Sequence, residues 1–155
     1  MKSRELLKEL EERFGETKED LKFKSTLEEI DSIFFIKDAI LSAGFISFTF
    51  SRQLCSRIVD TYSSWTSHLH ELLIPNPQSM IGITESKALN EDDRKEIFNL
   101  IKKVMRLITT NSLVGLTKDK SREAKFIDDS VEFWHKSFCP RLVKIMEKLN
   151  KGWGE

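Results

Sequence analysis

The sequence is poor in the residues that build small secreted scaffolds, because only two of its 155 residues are cysteine. Cys55 and Cys139 are too few for a disulfide framework and too far apart for a C-x-x-C metal motif. The chain also lacks a net charge, since 25 basic residues balance 25 acidic ones. Phosphate binding draws its affinity from clustered Lys and Arg, so this balance argues against nucleic acid as the main partner.

Long hydrophobic runs are missing as well. The longest uncharged stretches, residues 39–51 and 72–84, are shorter than the roughly 20 apolar residues that cross a membrane. The first residues contain no apolar signal-peptide core. We therefore expect a cytoplasmic protein with reduced cysteines and no membrane span. The abundance of Lys and Glu, together with few Asn and Gln, favours a thermophilic source.

The sequence is rich in helical patterns. Asn90 precedes three carboxylates and then apolar residues at every third or fourth position from Ile97 to Ile108. A capping residue, an acidic first turn and this spacing together indicate an amphipathic helix. Similar patterns recur along the chain, and 39 % hydrophobic residues suffice for a core. The predicted fold class is all-α, a single-domain bundle of five to six helices over residues 1–155.

In the first half of the chain, a short charged helix is expected over residues 3–14, ended by Gly15. The helical core should follow over residues 17–150. Overlapping capping boxes near residue 25 predict a break there. A central apolar helix should then run to a stop at Gly44.

In the second half, Ser51 is expected to cap a helix that reaches Leu73. The Asn90 helix should end near residues 109–111. Another helix is predicted from Ser121, and Pro140 either kinks it or opens a last helix.

Two segments do not follow helical spacing. The segment Phe45-Ile46-Ser47-Phe48-Thr49-Phe50 alternates as a strand would, but no partner strand is evident, so a tight connection or a helix start is expected. Residues 75–89 begin with Pro75 and Pro77 and show no period, which predicts an irregular loop.

Four carboxylates near the start of the chain form two pairs, Glu9-x-x-Glu12 and Glu28-x-x-Asp31. Their spacing resembles the paired carboxylate motifs of MazG-like all-α nucleotide pyrophosphohydrolases. The resemblance implies that the four residues hold Mg²⁺ ions, which bridge to substrate phosphates. Helical spacing favours another interpretation, because it places the carboxylates away from the apolar stripes, on solvated faces.

The other chemistry-bearing residues form no convincing set. His68 and His70 cannot chelate one ion from a regular helix, and Glu132-x-x-His135 lacks the second such motif that di-iron bundles require. Cys139 could approach His135 across a helix end, but no orienting Asn or Asp is evident. We expect no metal and no cofactor, and the absence of catalytic motifs favours a protein that is not an enzyme.

The last predicted helix carries Arg141, Lys144, Lys148 and Lys151 beside an apolar stripe. This candidate basic face allows a third reading, a small helical subunit of a nucleic-acid-associated complex. A solvated helix whose cations complement the helix C-terminus explains the same pattern.

The leading hypothesis is a non-catalytic interaction module that associates with itself, as a homo-oligomer, or with another protein. Its candidate interface comprises Phe45, Phe48 and Phe50 from one aperiodic segment and Met80 and Ile81 from the other. Exposed apolar patches of this kind mark interfaces. The biological role and the ligand are not indicated by any motif.

Overall fold

Helices form every regular element of the computed structural model, which describes residues 2–154. They are α1 (Lys2–Leu21), α2 (Leu27–Phe34), α3 (Ile36–Ala43), α4 (Phe50–Leu73), α5 (Met80–Lys87), α6 (Glu91–Thr117), α7 (Lys120–Phe133), a π-helical segment (Trp134–Phe138) and α8 (Cys139–Gly154). No strand occurs in this range, and no helix in it is both long and apolar enough to cross a membrane. The all-α class is confirmed.

The number of helices differs from the predicted five to six. Because α7 continues through the π-helical segment into α8, residues 2–154 form seven continuous helices. Two corrections account for the difference. The predicted central helix is divided into α2 and α3, and the predicted irregular loop contains α5.

The first helix is longer than the predicted 3–14, because Gly15 lies inside α1 instead of ending it. Leu10, Phe14 and Leu21 are all buried, so the apolar spacing continues across the glycine. Burying these side chains outweighs the roughly 1 kcal/mol that glycine costs inside a helix. The helix ends before Lys22, which adopts a left-handed conformation with φ 65°.

The predicted break near residue 25 is confirmed. Thr26 caps α2 through a complete capping box with Glu29. Before it, Asp128 of α7 accepts hydrogen bonds from the Ser25 backbone N–H at 2.9 Å and the Ser25 hydroxyl at 2.7 Å. The predicted stop at Gly44 is also confirmed, since this residue ends α3 with φ 81°.

Phe35 divides the predicted central helix because it adopts a left-handed conformation with φ 55°. Asp31 stabilises the turn, with its carbonyl accepting from the Phe35 N–H and its carboxylate from the Lys37 N–H, each at 2.9 Å. Arg57 Nε donates to the Phe34 carbonyl at 2.6 Å. These contacts satisfy backbone groups that an uninterrupted helix would have paired internally.

Helices α4 and α6 begin close to the predicted positions. α4 starts at Phe50, one residue before the predicted cap. α6 starts after Asn90, whose side chain accepts from the Asp93 N–H at 2.9 Å while Asp93 accepts from the Asn90 N–H at the same distance. α6 extends beyond the predicted end to Thr117 and is followed by Lys118 in a left-handed conformation with φ 57°.

The segment predicted to be an irregular loop contains a two-turn helix. Ser79 caps α5 by accepting a hydrogen bond from the Gly82 N–H at 3.0 Å. Met80 and Ile81 in its first turn are exposed. Because the apolar side chains do not share a buried face, the sequence carries no helical period to reveal this helix.

At Pro140 the structure shows neither of the two predicted possibilities alone, because the helix continues but changes its winding just before the proline. Pro140 is the second residue of α8, and α8 follows directly on the π-helical segment. A proline ring inside a helix clashes with the carbonyl four residues earlier, and a wider helical turn relieves that contact. The helix therefore continues, with altered winding at residues 134–138.

The chain divides into two compact units. Unit 1 comprises the chain up to Thr61 and Leu107–Glu132, and unit 2 comprises Tyr62–Arg106 and the chain from Phe133 onward. Each has its own buried apolar side chains, for example Ile30 and Ile58 in unit 1 and Ile97 and Leu100 in unit 2. The prediction of one domain over residues 1–155 stays a prediction.

Candidate functional site

The connection between α3 and α4, residues 44–49, presents an aromatic side chain to solvent. Phe48 is 97 % exposed and Phe45 is 59 % exposed. We call this segment the Phe48 loop. A phenylalanine with almost its whole surface in water forfeits the free energy that its burial would provide, so its exposure calls for an explanation.

Two helices hold the backbone of the Phe48 loop. Arg13 of α1 donates through Nη2 to the carbonyls of Ser47 at 3.0 Å and Phe48 at 3.2 Å. Gln53 of α4 accepts from the Ser47 N–H at 2.8 Å and donates to the Phe45 carbonyl at 3.4 Å. The aromatic side chain is therefore presented by an ordered backbone.

A groove of about 610 Å³ lies in unit 1 beside the loop, and Phe48 contributes to its lining. Its apolar lining includes the buried side chains of Leu21, Phe50 and Val114. Seven charged residues line it as well: Arg13, Glu16, Asp20, Arg52, Lys118, Lys120 and Glu123. The volume falls in the range of ligand-binding clefts.

A buried ion pair lines one part of the groove. Arg52 Nη1 lies 2.7 Å from Glu123 Oε2, and Arg52 Nη2 donates to Asn111 Oδ1 at 2.8 Å. Glu123 is only 6 % exposed, whereas one third of the Arg52 side chain reaches solvent. The guanidinium thus ties α4 to α6 and α7 within unit 1.

Cys55 lies behind this pair and is fully buried, with Sγ 3.9 Å from Glu123 Oε2. Burial raises the pKa of the Cys55 thiol far above its ordinary value, and the negative charge of Glu123 raises it further. The thiolate is the nucleophilic form of cysteine. Cys55 is therefore held as a protonated packing residue.

The charges around the groove are largely matched to each other. Besides the Arg52–Glu123 pair, Lys120 lies 3.0 Å from Asp20. Among the described residues, three charged lining residues form no ion pair: Arg13, which donates to the Phe48 loop, and the oppositely charged Glu16 and Lys118. An apolar group flanked by both signs of charge suits this lining better than a polyanion does.

The four predicted carboxylates do not converge. Glu9, Glu12 and Glu28 are exposed, and the Asp31 carboxylate accepts a hydrogen bond from the Lys37 N–H at the start of α3. Between residues 2 and 154, no group of three or more His, Cys, Asp or Glu side chains is placed to hold a metal ion. The geometry thus lends no support to the magnesium site that the resemblance implied.

The predicted interface residues fall into three groups. Phe45 and Phe48 are exposed in the Phe48 loop, as an interface requires. Phe50 is 2 % exposed, because it begins α4 with its ring directed into unit 1, and it therefore adds no accessible surface. Met80 and Ile81 are 80 % and 66 % exposed, but they belong to unit 2.

Two of the four cations of the predicted basic face on α8 form ion pairs within unit 2. Arg141 Nε lies 3.6 Å from Glu96, and Lys148 forms a short ion pair with Asp93. Burial acts to raise the pKa of Asp93, but the hydrogen bonds from Lys148 and the Asn90 backbone outweigh it, so the pKa lies below its ordinary value. Two of the four predicted cations are therefore occupied in packing α8.

Sequence reasoning missed the charged residues of the groove. Arg52 and Glu123 lie 71 residues apart, and no local pattern joins them. One signal was present, since Glu123 precedes Phe126 and Ile127 by three and four positions and so lies on the apolar face of α7. A carboxylate on such a face requires a buried partner.

Comparison with known proteins gives no family assignment, because the chain matches no protein-family model, no curated protein and no solved structure. The Phe48 loop and the groove are therefore the features that bear on function.

Proposed function

We propose that the protein is a non-catalytic module that associates with itself through the Phe48 loop. One observation carries the proposal: an aromatic side chain is 97 % exposed on a backbone that Arg13 and Gln53 hold in place. Aromatic anchors of this kind contribute much of the binding free energy at protein interfaces.

The energetics favour association at this loop. Removing one phenylalanine side chain from water contributes about 1.5–3 kcal/mol. Ordering a flexible loop would consume part of that gain, but the hydrogen bonds to Ser47 and Phe48 already fix the backbone. The preorganised loop therefore retains more of the binding free energy of its aromatic side chain.

Charge supports self-association over binding to a strongly charged partner. The formal net charge is zero, so two copies have no overall electrostatic repulsion to overcome. Near the loop, ion pairs within unit 1 already match most of the charged groups. A second copy offers the same balanced surface.

Sedimentation velocity over a micromolar to millimolar concentration series tests the proposal. We expect wild-type protein to dimerise with increasing concentration and Phe48→Ser to stay monomeric. Met80→Ser is a matched control, because Met80 is 80 % exposed but belongs to unit 2. A wild-type protein that is monomeric throughout, or a dimer lost on Met80→Ser and kept on Phe48→Ser, would overturn the proposal.

A further inference from the structure

We infer that the groove is the receptor for Phe48 of a second copy, so that two chains pair about a twofold axis and each Phe48 enters the groove of the other. The inference rests on the proposed function and names the surface that receives the loop. It follows from the position of Phe48, the lining of the groove and the charges around it.

Phe48 lies beside the groove without filling it. It contributes to the lining, yet 97 % of the residue stays exposed, so its ring is not packed into its own groove. The side chains of Leu21, Phe50 and Val114 are buried and form the apolar base of the groove. An open groove of about 610 Å³ can accept an aromatic side chain with its flanking residues.

The adjacency of Phe48 and the groove favours a twofold arrangement. In an interface with twofold symmetry the same patch serves both copies, so each contact occurs twice. Because Phe48 and the groove adjoin on one surface, one docking event can bury both rings. A head-to-tail contact would instead leave one Phe48 and one groove open for further copies and would build chains.

Two opposite charges in the groove lining fit the same arrangement. Glu16 and Lys118 are exposed, and neither takes part in an ion pair among residues 2–154. About a twofold axis, Glu16 of each copy faces Lys118 of the other, which gives two complementary pairs. A nucleic acid would meet three carboxylates, Glu16, Asp20 and Glu123, among the four cations of this lining.

Charge reversal provides the test. Glu16→Lys places like charges opposite each other in its homodimer, and Lys118→Glu does the same with the other sign. We expect each variant alone to dimerise about tenfold more weakly or worse than wild type. An equimolar mixture of the two should recover wild-type association, because both pairs are then complementary. Native mass spectrometry should detect the mixed dimer as the main species.

Glu12→Lys and Lys22→Glu are the matched controls. Glu12 is exposed on α1 outside the groove lining, and Lys22 shares the left-handed backbone conformation of Lys118 but also lies outside that lining. Both controls should dimerise as wild type does. Far-UV circular dichroism and the urea unfolding midpoint must be unchanged in all four variants.

The outcomes separate the two proposals. If wild type dimerises through Phe48 but both groove variants dimerise unchanged, the groove is not the receptor and only the further inference fails. If each variant is weakened and the mixture is not restored, the twofold pairing is wrong. If wild type never associates, the proposed function itself fails.

Discussion

Units 1 and 2 each bury a single carboxylate among the described residues, but they stabilise it in different ways. Glu123 in unit 1 pairs with Arg52, a residue from a distant part of the sequence. Asp93 in unit 2 belongs to the cap of α6, where the Asn90 N–H donates to it, and Lys148 adds a cation. The difference shows that a local cap can be recognised in a sequence, whereas a long-range ion pair requires the fold.

The backbones of the units differ too. The described residues with positive φ are Lys22, Phe35, Gly44 and Lys118, and all of them belong to unit 1. A left-handed conformation costs a residue with a side chain about 1–2 kcal/mol. Each of the four stands at the C-terminal end of a helix, where a left-handed residue is common. Among the described residues, left-handed helix ends therefore occur only in unit 1.

Each unit contains one cysteine, and we expect the largest difference between the units in the reactivity of these two thiols. Cys55 in unit 1 is fully buried and its pKa is raised, whereas Cys139 in unit 2 is partly accessible. We expect iodoacetamide to modify Cys55 at least about 100-fold more slowly than Cys139 in native protein. Peptide mass spectrometry measures both rates. In urea the two rates should converge; similar rates in native protein would show that unit 1 opens readily.

Glu123→Ala should lower the free energy of unfolding most among single substitutions at charged sites. It leaves the Arg52 guanidinium without its anionic partner. Breaking a buried pair costs about 3–5 kcal/mol, and the one-third exposure of Arg52 reduces the expected loss to about 2–3 kcal/mol. Urea unfolding measures it, with exposed Glu12→Ala as the control. Equal midpoints for the two variants would contradict the role of the pair.

Asp93→Ala should cost unit 2 less, about 1–2 kcal/mol at neutral pH, because it removes a cap and one ion pair. The depressed pKa of Asp93 means that its contribution is complete above the ordinary aspartate pKa of about 3.9 and is lost as the pH falls through the depressed value. Urea unfolding of wild type and variant should therefore converge in acid. Neighbouring Asp92→Ala, which removes an exposed carboxylate, should show a smaller difference at neutral pH.

The smallest expected effect is a gain in stability. Lys118→Gly and Lys22→Gly each remove the steric cost of a left-handed backbone at a residue with a side chain. The greater freedom of glycine in the unfolded chain offsets part of this gain, so the free energy of unfolding should rise by about 0.5–1 kcal/mol. Thermal unfolding measures the shift. Only Lys118→Gly should also weaken dimerisation. A loss of stability in both variants would mean that the lysine side chains contribute more than the backbone costs.

Local signals in the sequence located much of the fold. Thr26, Gly44 and Asn90 mark helix ends through hydrogen bonds to residues a few positions away, so their positions followed from spacing alone. Gly15 does not end α1 as predicted, because the apolar stripe continues past it. The helix break at Phe35 was not predicted, because a phenylalanine gives no sequence signal for a left-handed conformation.

The candidate site was predictable only in part. Phe45 and Phe48 were predicted as interface residues because they lie in an apolar segment without helical spacing. Both are exposed. Phe50 shares that segment, but the start of α4 buries it, and burial depends on packing against the rest of unit 1. The groove depends on Arg52, Lys118 and Glu123, which approach each other only after α4, α6 and α7 have packed.

The interleaving of the two units along the chain affects the order in which the protein can fold. Unit 1 contains no continuous stretch that holds all its parts, since Leu107–Glu132 follows a long segment of unit 2. Asp128 accepts hydrogen bonds from Ser25 and is synthesised 103 positions after it. Until then, α1 to α3 keep apolar surface that only later residues can cover. A growing chain therefore passes through a long aggregation-prone interval, and a product truncated before Glu132 cannot complete unit 1.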